Sequence, residues 1–261
     1  MSEPPEKDPP EKLAEGTLIS HLLELRDRLI RAAIAIGIAF VPCVTFSNDI
    51  FSFVLQPLID KLPKGSTVIA TGVMQTFTTP FKLSFFLAVG LAMPYVLYQI
   101  WAFVAPGLYR HEKRFAFPLL ASSIVLFYVG IAFAYKFVFP VMFQFFAGTT
   151  PAGVAMMPDM TQYLDLVLRM FFGFGLAFEV PIAVVLLVVT GLVKIEKLKS
   201  NRGYVLIGIF IVAALFTPPD AISQSILAIP MYLLYEGGII MAKFLSGMKK
   251  PPTDGEVSTD S

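Results

Sequence analysis

Residues 163–190 read YLDLVLRMFFGFGLAFEVPIAVVLLVVT, a mostly apolar run with a carboxylate, Glu179, near its middle. The run is longer than the about 20 residues that an α-helix needs to cross the hydrocarbon core of a bilayer. The pair Val180-Pro181 follows the acid directly. The run therefore predicts a transmembrane helix that carries an acidic side chain inside the membrane.

Five further apolar runs are separated from this one and from each other by polar connectors. They lie at roughly 29–46, 81–104, 115–140, 203–217 and 222–244. Apolar residues form 56% of the 261-residue chain even before its 18 glycines are added, and charged residues form only 15%. Soluble domains average about 45–50% apolar residues, glycine included, and about 25% charged residues. We therefore predict an all-α polytopic membrane protein with six transmembrane helices.

Polar segments close both ends of the chain. Residues 1–16 and 249–261 predict disordered tails around a six-helix domain at 17–248. Six crossings place both tails on one side of the membrane, together with 15 of the 20 lysines and arginines: Lys7, Lys12, Arg26, Arg28, Arg31, Arg110, Lys113, Arg114, Lys194, Lys197, Lys199, Arg202, Lys243, Lys249 and Lys250. Because short cytoplasmic loops carry the excess of cations, both termini are predicted to be cytoplasmic.

The predicted helices differ in length. Residues 115–148 would form a helix of about 50 Å, whereas 203–217 would span only about 22 Å against roughly 30 Å of hydrocarbon. The short run is joined to the next by Thr217-Pro218-Pro219-Asp220, so the bilayer is expected to thin there. Prolines inside the runs predict kinked helices and a concave, cup-like wall, although prolines are also simply more frequent in membrane helices. These prolines are Pro94, Pro118, Pro140, Pro181 and Pro230.

Residues 47–80 predict a long non-cytoplasmic loop. Apolar residues at helical spacing near its start indicate a short interfacial helix. They are Ile50, Phe51, Val54, Leu55, Leu58 and Ile59. Residues 68–70 are the best candidates for an extended segment in this loop.

Several classes of function are disfavoured by the composition and by missing motifs. The formal net charge is +1, which does not suit bulk nucleic-acid binding. Cys43 is the single cysteine and the two histidines are His21 and His111, so neither a disulfide nor a zinc site is indicated. The sequence contains no GxxxxGK[ST], GxSxG or HExxH motif. We therefore predict a protein that is not an enzyme and has no cofactor.

Glu179 is the most distinctive polar residue within the predicted spans. A charged side chain near the middle of a membrane helix costs about 2.5–3.5 kcal/mol on insertion scales, so it is expected to face protein or a water-filled cavity and to have a function. The alternative is a neutral carboxyl that is hydrogen-bonded to a neighbouring helix, for which Gln99 or Gln224 offers a partner. Glu236 lies close enough to the end of its run to be interfacial.

Two further acids lie among cations on the predicted cytoplasmic face. Glu24 belongs to HLLELR, residues 21–26. This motif lies in a segment with the helical spacing of an amphipathic helix at the membrane surface, shown by Leu18, Leu22, Leu25 and Leu29. Glu112 belongs to LYRHEKR, residues 108–114. Each acid on its own can equally be a salt-bridge partner of neighbouring arginines, which contributes about 0–1 kcal/mol when exposed.

Several of these motifs, in this order, resemble the TatC family, the polytopic core subunit of the twin-arginine protein translocase. The matching motifs are HLLELR at 21–26, WAFVAPGLY at 101–109 with HEKR at 111–114, FEVP at 178–181, and TPPD at 217–220 with Gln224. The resemblance extends from about Thr17 to Leu245, so only the tails lie outside it.

The resemblance implies a receptor that binds twin-arginine signal peptides and helps to export folded proteins with the proton-motive force. In such a receptor Glu24 and Glu112 recognise the two arginines. A carboxylate accepts a planar guanidinium through two bonds, whereas lysine offers only a point charge. The candidate signal-peptide site also contains residues beside these acids in the same motifs: Phe103, Pro106, Arg26 and Arg114.

The resemblance also implies partners. Glu179 would contact polar groups of small single-span subunits that are TatA- and TatB-like, and Asp220 and Gln224 would mark a second contact region. A homo-oligomer within a larger complex in a bacterial inner membrane follows from the same resemblance. Two other functions remain open from the residues alone: an ion-coupled small-molecule transporter with Glu179 as its proton site, and a purely structural scaffold.

Overall fold

A computed structural model describes the backbone of residues 10–60, 67–108, 116–149, 151, 157–216 and 221–247. Side chains are described throughout these ranges except at 10–18, 57–58, 104–108, 116, 147, 223 and 246–247. Within these residues the chain is helical, and the β-structure is limited to one isolated parallel bridge between Ile69 and Asp159. The predicted all-α class is therefore confirmed, and the bridge lies in the segment that was predicted to be extended.

The helices follow one another along the described chain. They are α1 (Pro10–Thr45), α2 (Ser47–Ile59), α3 (Gln75–Leu108), α4 (Ala116–Phe133), a π-helical segment (Ala134–Val138), α5 (Phe139–Thr149), α6 (Met160–Ala177), α7 (Val180–Val189), α8 (Ile195–Ser200), α9 (Arg202–Phe216) and α10 (Ala221–Gly247).

Five helical stretches in the described residues are long and apolar enough to cross a membrane. They are Ile19–Thr45, Gln75–Phe103, Phe117–Phe146, Met160–Val189 and Gln224–Leu245. The remaining apolar run forms α9, which has only 15 residues and is therefore about 22 Å long. The side chains that point away from the packed interior include Ile38, Val41, Leu215 and Phe244, each at least 70% exposed. Apolar surface on this scale indicates lipid contact, so the chain is a polytopic membrane protein.

The predicted over-long helix is present as one continuous helical run from α4 through α5. Its π-helical segment ends just before Pro140, and the Phe139 N–H donates to the carbonyl of Ala134, five residues back. Pro140 has no N–H to donate, so the helix loses one hydrogen bond at that residue. A local widening of the turn is one of the recognised ways in which a long helix accommodates such a loss.

A short turn at Phe178 and Glu179 separates α6 from α7. The Glu179 N–H donates to the carbonyl of Leu176, three residues back, at 3.0 Å. Pro181 is the second residue of α7. The N–H groups of the first turn have no partner within a helix, so the missing N–H of proline costs no helical hydrogen bond. The sequence Glu-Val-Pro therefore ends one helix and begins the next, and it fixes the acid at the break.

The chain packs as two compact units. The first contains the described residues of Met1–Val125 and Phe143–Leu168, and the second those of Leu126–Met142 and Arg169–Ser261. In the first unit α1 packs along α3, with the Ser84 hydroxyl donating to the Cys43 carbonyl at 3.2 Å. The Tyr163 hydroxyl donates to the Val54 carbonyl of α2 at 2.7 Å, which ties α2 to α6.

In the second unit α10 packs against α7 and α9. Gly238 of α10 lies so close to α7 that a Cβ atom would be 2.8 Å from the Cα of Pro181. On α4, a Cβ at Gly130 would be 2.5 Å from the carbonyl oxygen of Phe174 on α6. Small residues allow backbones to approach this closely in membrane helix packing.

A polar network that the sequence did not predict joins the α2–α3 connection to the start of α6. Asp159 Oδ1 accepts hydrogen bonds from the backbone N–H groups of Thr161 and Gln162 at 2.9 and 3.0 Å. Oδ2 accepts from the Thr71 hydroxyl at 2.6 Å and from the Thr71 N–H at 3.2 Å. These bonds lower the pKa of Asp159 from 3.8 to about 2, and the bond from the Thr71 hydroxyl makes the largest contribution to this shift. One carboxylate thus caps α6 and holds a loop that is distant in sequence.

Two side-chain pairs extend this network along α3 and α6. The Thr79 and Thr161 hydroxyls are hydrogen-bonded at 2.8 Å. Lys82 and Asp165 form an ion pair between the two helices. These four polar residues are therefore paired with each other, as expected where water is scarce.

Candidate functional site

Glu24 lies on α1, one turn before an arginine that it binds directly. Arg28 donates to Glu24 Oε1 through Nε at 3.0 Å and through Nη2 at 2.5 Å. The four-residue spacing places both side chains on the same helix face. The other oxygen, Oε2, lies 3.9 Å from Nδ1 of His21. Arg26 does not take part, since its Nε lies 3.5 Å from Asp27 and both side chains are exposed.

Arg28 also connects Glu24 to α3. Its Nη1 donates to Oε1 of Gln99 at 3.3 Å, and Gln99 is only 4% exposed. The guanidinium is therefore held between an acid on its own helix and an amide on the neighbouring one. Gln99 was considered from the sequence as a partner for Glu179, but the structure shows its oxygen accepting from Arg28.

Phe103 lies beside the same group of side chains. Its ring stacks on the His21 ring, with the centroids 4.2 Å apart and the planes 19° from parallel. His21 thus faces both Phe103 and Glu24, and the structure brings these two predicted site residues together through it. His21, Arg28 and Gln99 were not among the predicted site residues. The i, i+4 spacing of Glu24 and Arg28 was the signal that could have identified the arginine.

The other predicted residues of this site are only partly covered by the structure. The backbone of Pro106 belongs to α3, and its side chain lies outside the described residues. Glu112 and Arg114 also lie outside the described residues. The observed geometry is therefore that of the Glu24 half of the candidate site.

Glu179 occupies the turn between α6 and α7 in the second unit, and its Oε1 atom is buried. Phe178, which precedes it, and Pro181, two residues after it, line an apolar cavity of about 450 Å³. The rest of the lining comes from α4 and α10: Leu126, Phe133, Pro230, Leu233, Leu234, Gly237 and Met241. The acid is thus adjacent to a cavity that is lined almost entirely by apolar groups.

The remaining acidic and amide candidates make contacts within the second unit. Gln224 on α10 donates through Nε2 to the Phe210 carbonyl on α9 at 2.7 Å, so it joins these two helices. Glu236 accepts from Arg202 at 2.6 Å, an ion pair between α10 and the start of α9. Asp220 lies outside the described residues. In the part of the chain that the structure describes, no three His, Cys, Asp or Glu residues are grouped so that they could hold a metal ion.

Comparison with known proteins gives a consistent result. The model of the family described as Sec-independent protein translocase protein (TatC) matches residues 20–230. The TatC protein of Azotobacter chroococcum mcd 1 is 50% identical over 242 residues, which cover 93% of this chain and 95% of that protein. TatC of Escherichia coli (strain K12) is 51% identical over 230 residues, which cover 88% of this chain and 89% of that protein.

A solved structure agrees with these relatives. The crystal structure of the twin arginine translocase receptor TatC aligns with a TM-score of 0.78 and 35% identity, covering 87% of this chain and 99% of that chain. Proteins of this family are components of a protein translocase, so they are membrane transport proteins and not enzymes. The fold, the identity and the coverage lead to one conclusion: this chain belongs to the TatC family of Sec-independent protein translocase proteins.

Proposed function

We propose that this chain is the receptor subunit of the translocase and binds twin-arginine signal peptides through Glu24. One observation carries the proposal: the Glu24 carboxylate already binds a guanidinium, that of Arg28, on a surface where it remains 38% exposed. A carboxylate that is exposed to solvent and already binds one guanidinium can also bind the guanidinium of an incoming peptide. His21 and Phe103 form an aromatic wall beside it.

Glu112 is proposed to bind the second arginine of the signal. This assignment rests on the resemblance of HEKR at 111–114 to the family motif, together with Pro106 in the preceding segment. Arg26 and Arg114, each two residues after one of these acids in the sequence, are proposed to add positive charge near the site, although the Arg26 Nε lies 3.5 Å from Asp27 and does not bind Glu24. The bound signal would then allow a folded protein to be exported with energy from the proton-motive force.

Binding of a labelled twin-arginine signal peptide to the detergent-purified chain tests this function. Glu24→Gln and Glu112→Gln are each expected to weaken binding of the Arg-Arg peptide about tenfold or more, because a hydrogen bond to a charged group contributes about 1.5–3 kcal/mol. A Lys-Lys peptide should bind the unmodified chain more weakly than the Arg-Arg peptide. Glu196→Gln on α8 is a matched control at an exposed acid. Unchanged Arg-Arg binding in both test variants would contradict the proposal.

The second unit is proposed to contact the partner subunits. Glu179, beside its apolar cavity, suits a polar group on a single membrane helix of a TatA- or TatB-like subunit. Gln224 and Asp220, at the connection between α9 and α10, are proposed as a further contact region. Assembly of several copies within a larger translocase complex is part of the same proposal.

The membrane arrangement is proposed to have six spans, with α9 as the short fifth one. Both termini would be cytoplasmic in a bacterial inner membrane, with tails at 1–16 and 249–261 around a domain at 17–248. The distribution of lysine and arginine supports this orientation. The concave wall that the prolines predict stays a prediction.

A further inference from the structure

The apolar cavity of the second unit lies entirely within helices that are long enough to cross a membrane. Its lining residues belong to the stretches Phe117–Phe146, Met160–Val189 and Gln224–Leu245. We propose that this cavity is a binding site for one acyl chain of a bilayer phospholipid. The inference goes beyond the proposed function, and it does not depend on the roles proposed for Glu24 and Glu179.

The surroundings of the cavity determine which molecules can reach it. Phe178 in its lining is buried, whereas Leu233 and Met241 are 64% and 40% exposed, so the cavity opens on the outer surface of these helices. The medium around the outer surface of a membrane-spanning helix is hydrocarbon. A lining that is almost entirely apolar offers water too few hydrogen-bond partners, and a smaller apolar cavity of about 150 Å³ is known to stay dry and to bind benzene.

The shape of the cavity favours a hydrocarbon chain over a helix. Along α10 the cavity extends from Pro230 to Met241, a rise of about 16 Å. The volume of about 450 Å³ spread over this length gives a mean cross-section of about 27 Å², whereas an α-helix about 10 Å wide occupies about 80 Å². A membrane helix can therefore lie across the mouth of the cavity but cannot enter it. An acyl chain is a single file of methylene groups, and it can lie lengthwise in a channel of this width.

The face of α10 that lines the cavity leaves room for such a chain. Pro230, Leu233, Leu234, Gly237 and Met241 recur three or four residues apart, which places them on one side of the helix. A Cβ atom at Gly237 would have no atom within 4 Å. Within a bilayer the driving force for binding is packing, because the wall atoms of an empty cavity lack the dispersion contacts that an acyl chain supplies.

Photochemical cross-linking tests the proposal directly. The full chain, purified without other subunits, is placed in nanodiscs of phosphatidylethanolamine and phosphatidylglycerol that contain a phospholipid with a diazirine on its acyl chain. Mass spectrometry then maps the cross-linked residues. We expect cross-links at Phe178 and Leu234 to exceed those at Ile207 and Ile211 of α9, which are 58% and 61% exposed and lie outside the cavity.

A variant that fills the cavity provides the second measurement. Gly237→Leu places a side chain where the structure has open space, so it should lower the cross-link yield at Phe178 at least about threefold, since two groups cannot occupy the same volume. Gly208→Leu on α9 is the matched control, because a Cβ atom at this glycine also has no atom within 4 Å and Gly208 does not line the cavity. The yield at Phe178 in this control should equal that of the unmodified chain.

The outcomes separate a bound chain from ordinary lipid contact. Cross-links at Phe178 and Leu234 that do not exceed those on α9 would overturn the inference, because the cavity would then bind no chain. A yield that Gly237→Leu leaves unchanged would also overturn it, since the label would have reacted at the outer surface. If Gly237→Leu does not fold, as judged by size-exclusion chromatography, Leu233→Trp at the exposed mouth of the cavity decides the question in the same way.

Discussion

The carboxylate of Asp159 connects the start of α6 to Thr71 in the α2–α3 connection. Its two oxygens accept four hydrogen bonds, two from the first turn of α6 and two from Thr71. These bonds favour the ionised form, so the pKa in the folded protein lies at about 2, below the ordinary 3.8. Asp159 therefore stabilises the fold only while it is charged.

The pH dependence of stability follows from the direction of this shift. The contribution of Asp159 is fully present above the unfolded-state pKa of 3.8 and is lost as the pH falls towards about 2. Thermal unfolding of the detergent-purified protein should show Asp159→Asn less stable than the unmodified chain at neutral pH. The difference should shrink as the pH falls from about 5 towards 2.

Asp60→Asn provides the control for this experiment. Asp60 is an exposed acid that accepts a single side-chain hydrogen bond, from Gln56 at 2.8 Å. Its substitution should change the unfolding temperature little at any pH. A difference for Asp159→Asn that stays constant between pH 5 and the lowest accessible pH would show that the charge of this residue does not matter.

The residues of the candidate site were predictable to different degrees. Glu24 could be selected because it is an acid within an amphipathic segment, whereas Phe103 was selected only because WAFVAPGLY at 101–109 resembles a motif of the family. Arg28 could have been identified from its i, i+4 spacing to Glu24. Gln99 could not, because its significance depends on a contact between α1 and α3. The network of Asp159 was missed for the same reason, since Thr71 lies in a different loop.

At the scale of elements, breaks and close approaches depend on proline and glycine. Pro140 and Pro181 lie where a helix widens and where a new helix begins. The other prolines that were expected to kink helices include Pro94, which lies within an unbroken α3. Prolines therefore coincide with a change in the helix at Pro140 and Pro181 but not at Pro94.

Gly130 on α4 provides a test of helix packing in the second unit. A Cβ at this residue would lie 2.5 Å from the Phe174 carbonyl oxygen, so alanine requires α4 and α6 to separate. Gly130→Ala is expected to destabilise the protein by about 1–3 kcal/mol, the usual cost of overpacking a well-packed interior. Denaturant-induced unfolding in micelles measures this change.

Gly208 on α9 is the matched control, because a Cβ there would have no atom within 4 Å. Gly208→Ala should leave stability unchanged or raise it by up to about 1 kcal/mol, since alanine loses less backbone entropy than glycine in a helix. Equal stability of the Gly130 and Gly208 variants would contradict the close approach of α4 and α6.

At the scale of the whole molecule, membership of a protein translocase family removes the small-molecule transporter as the leading alternative. The helix lengths agree with the uneven spans that the sequence predicted, from the long run of α4 and α5 to the 15 residues of α9. The proposed signal-peptide site lies on the cytoplasmic side only if both termini are cytoplasmic. The orientation of the chain in the membrane therefore tests this part of the proposal.

Cysteine labelling tests this orientation. In a Cys43→Ser background, Ser52→Cys on α2 should react with a membrane-impermeant maleimide in intact cells whose outer membrane is permeabilised. Ser200→Cys on α8 should react only after the inner membrane is opened. The two positions are matched, since both serines are exposed on a helix and donate to a backbone carbonyl of the preceding turn. The reverse pattern would place the termini outside the cytoplasm.

The features that could be derived from the chain alone are local ones. The length of an apolar run, the helical spacing of leucines and the cost of an acid among apolar residues are properties of neighbouring positions, and they predicted the helices and the acids Glu24 and Glu179. The contacts between residues that are distant in sequence became known only from packing, because Arg28 meets Gln99 across 71 residues and Thr71 meets Asp159 across 88. Helix periodicity specifies which face a side chain occupies, whereas the contact between two faces depends on how the helices pack against each other.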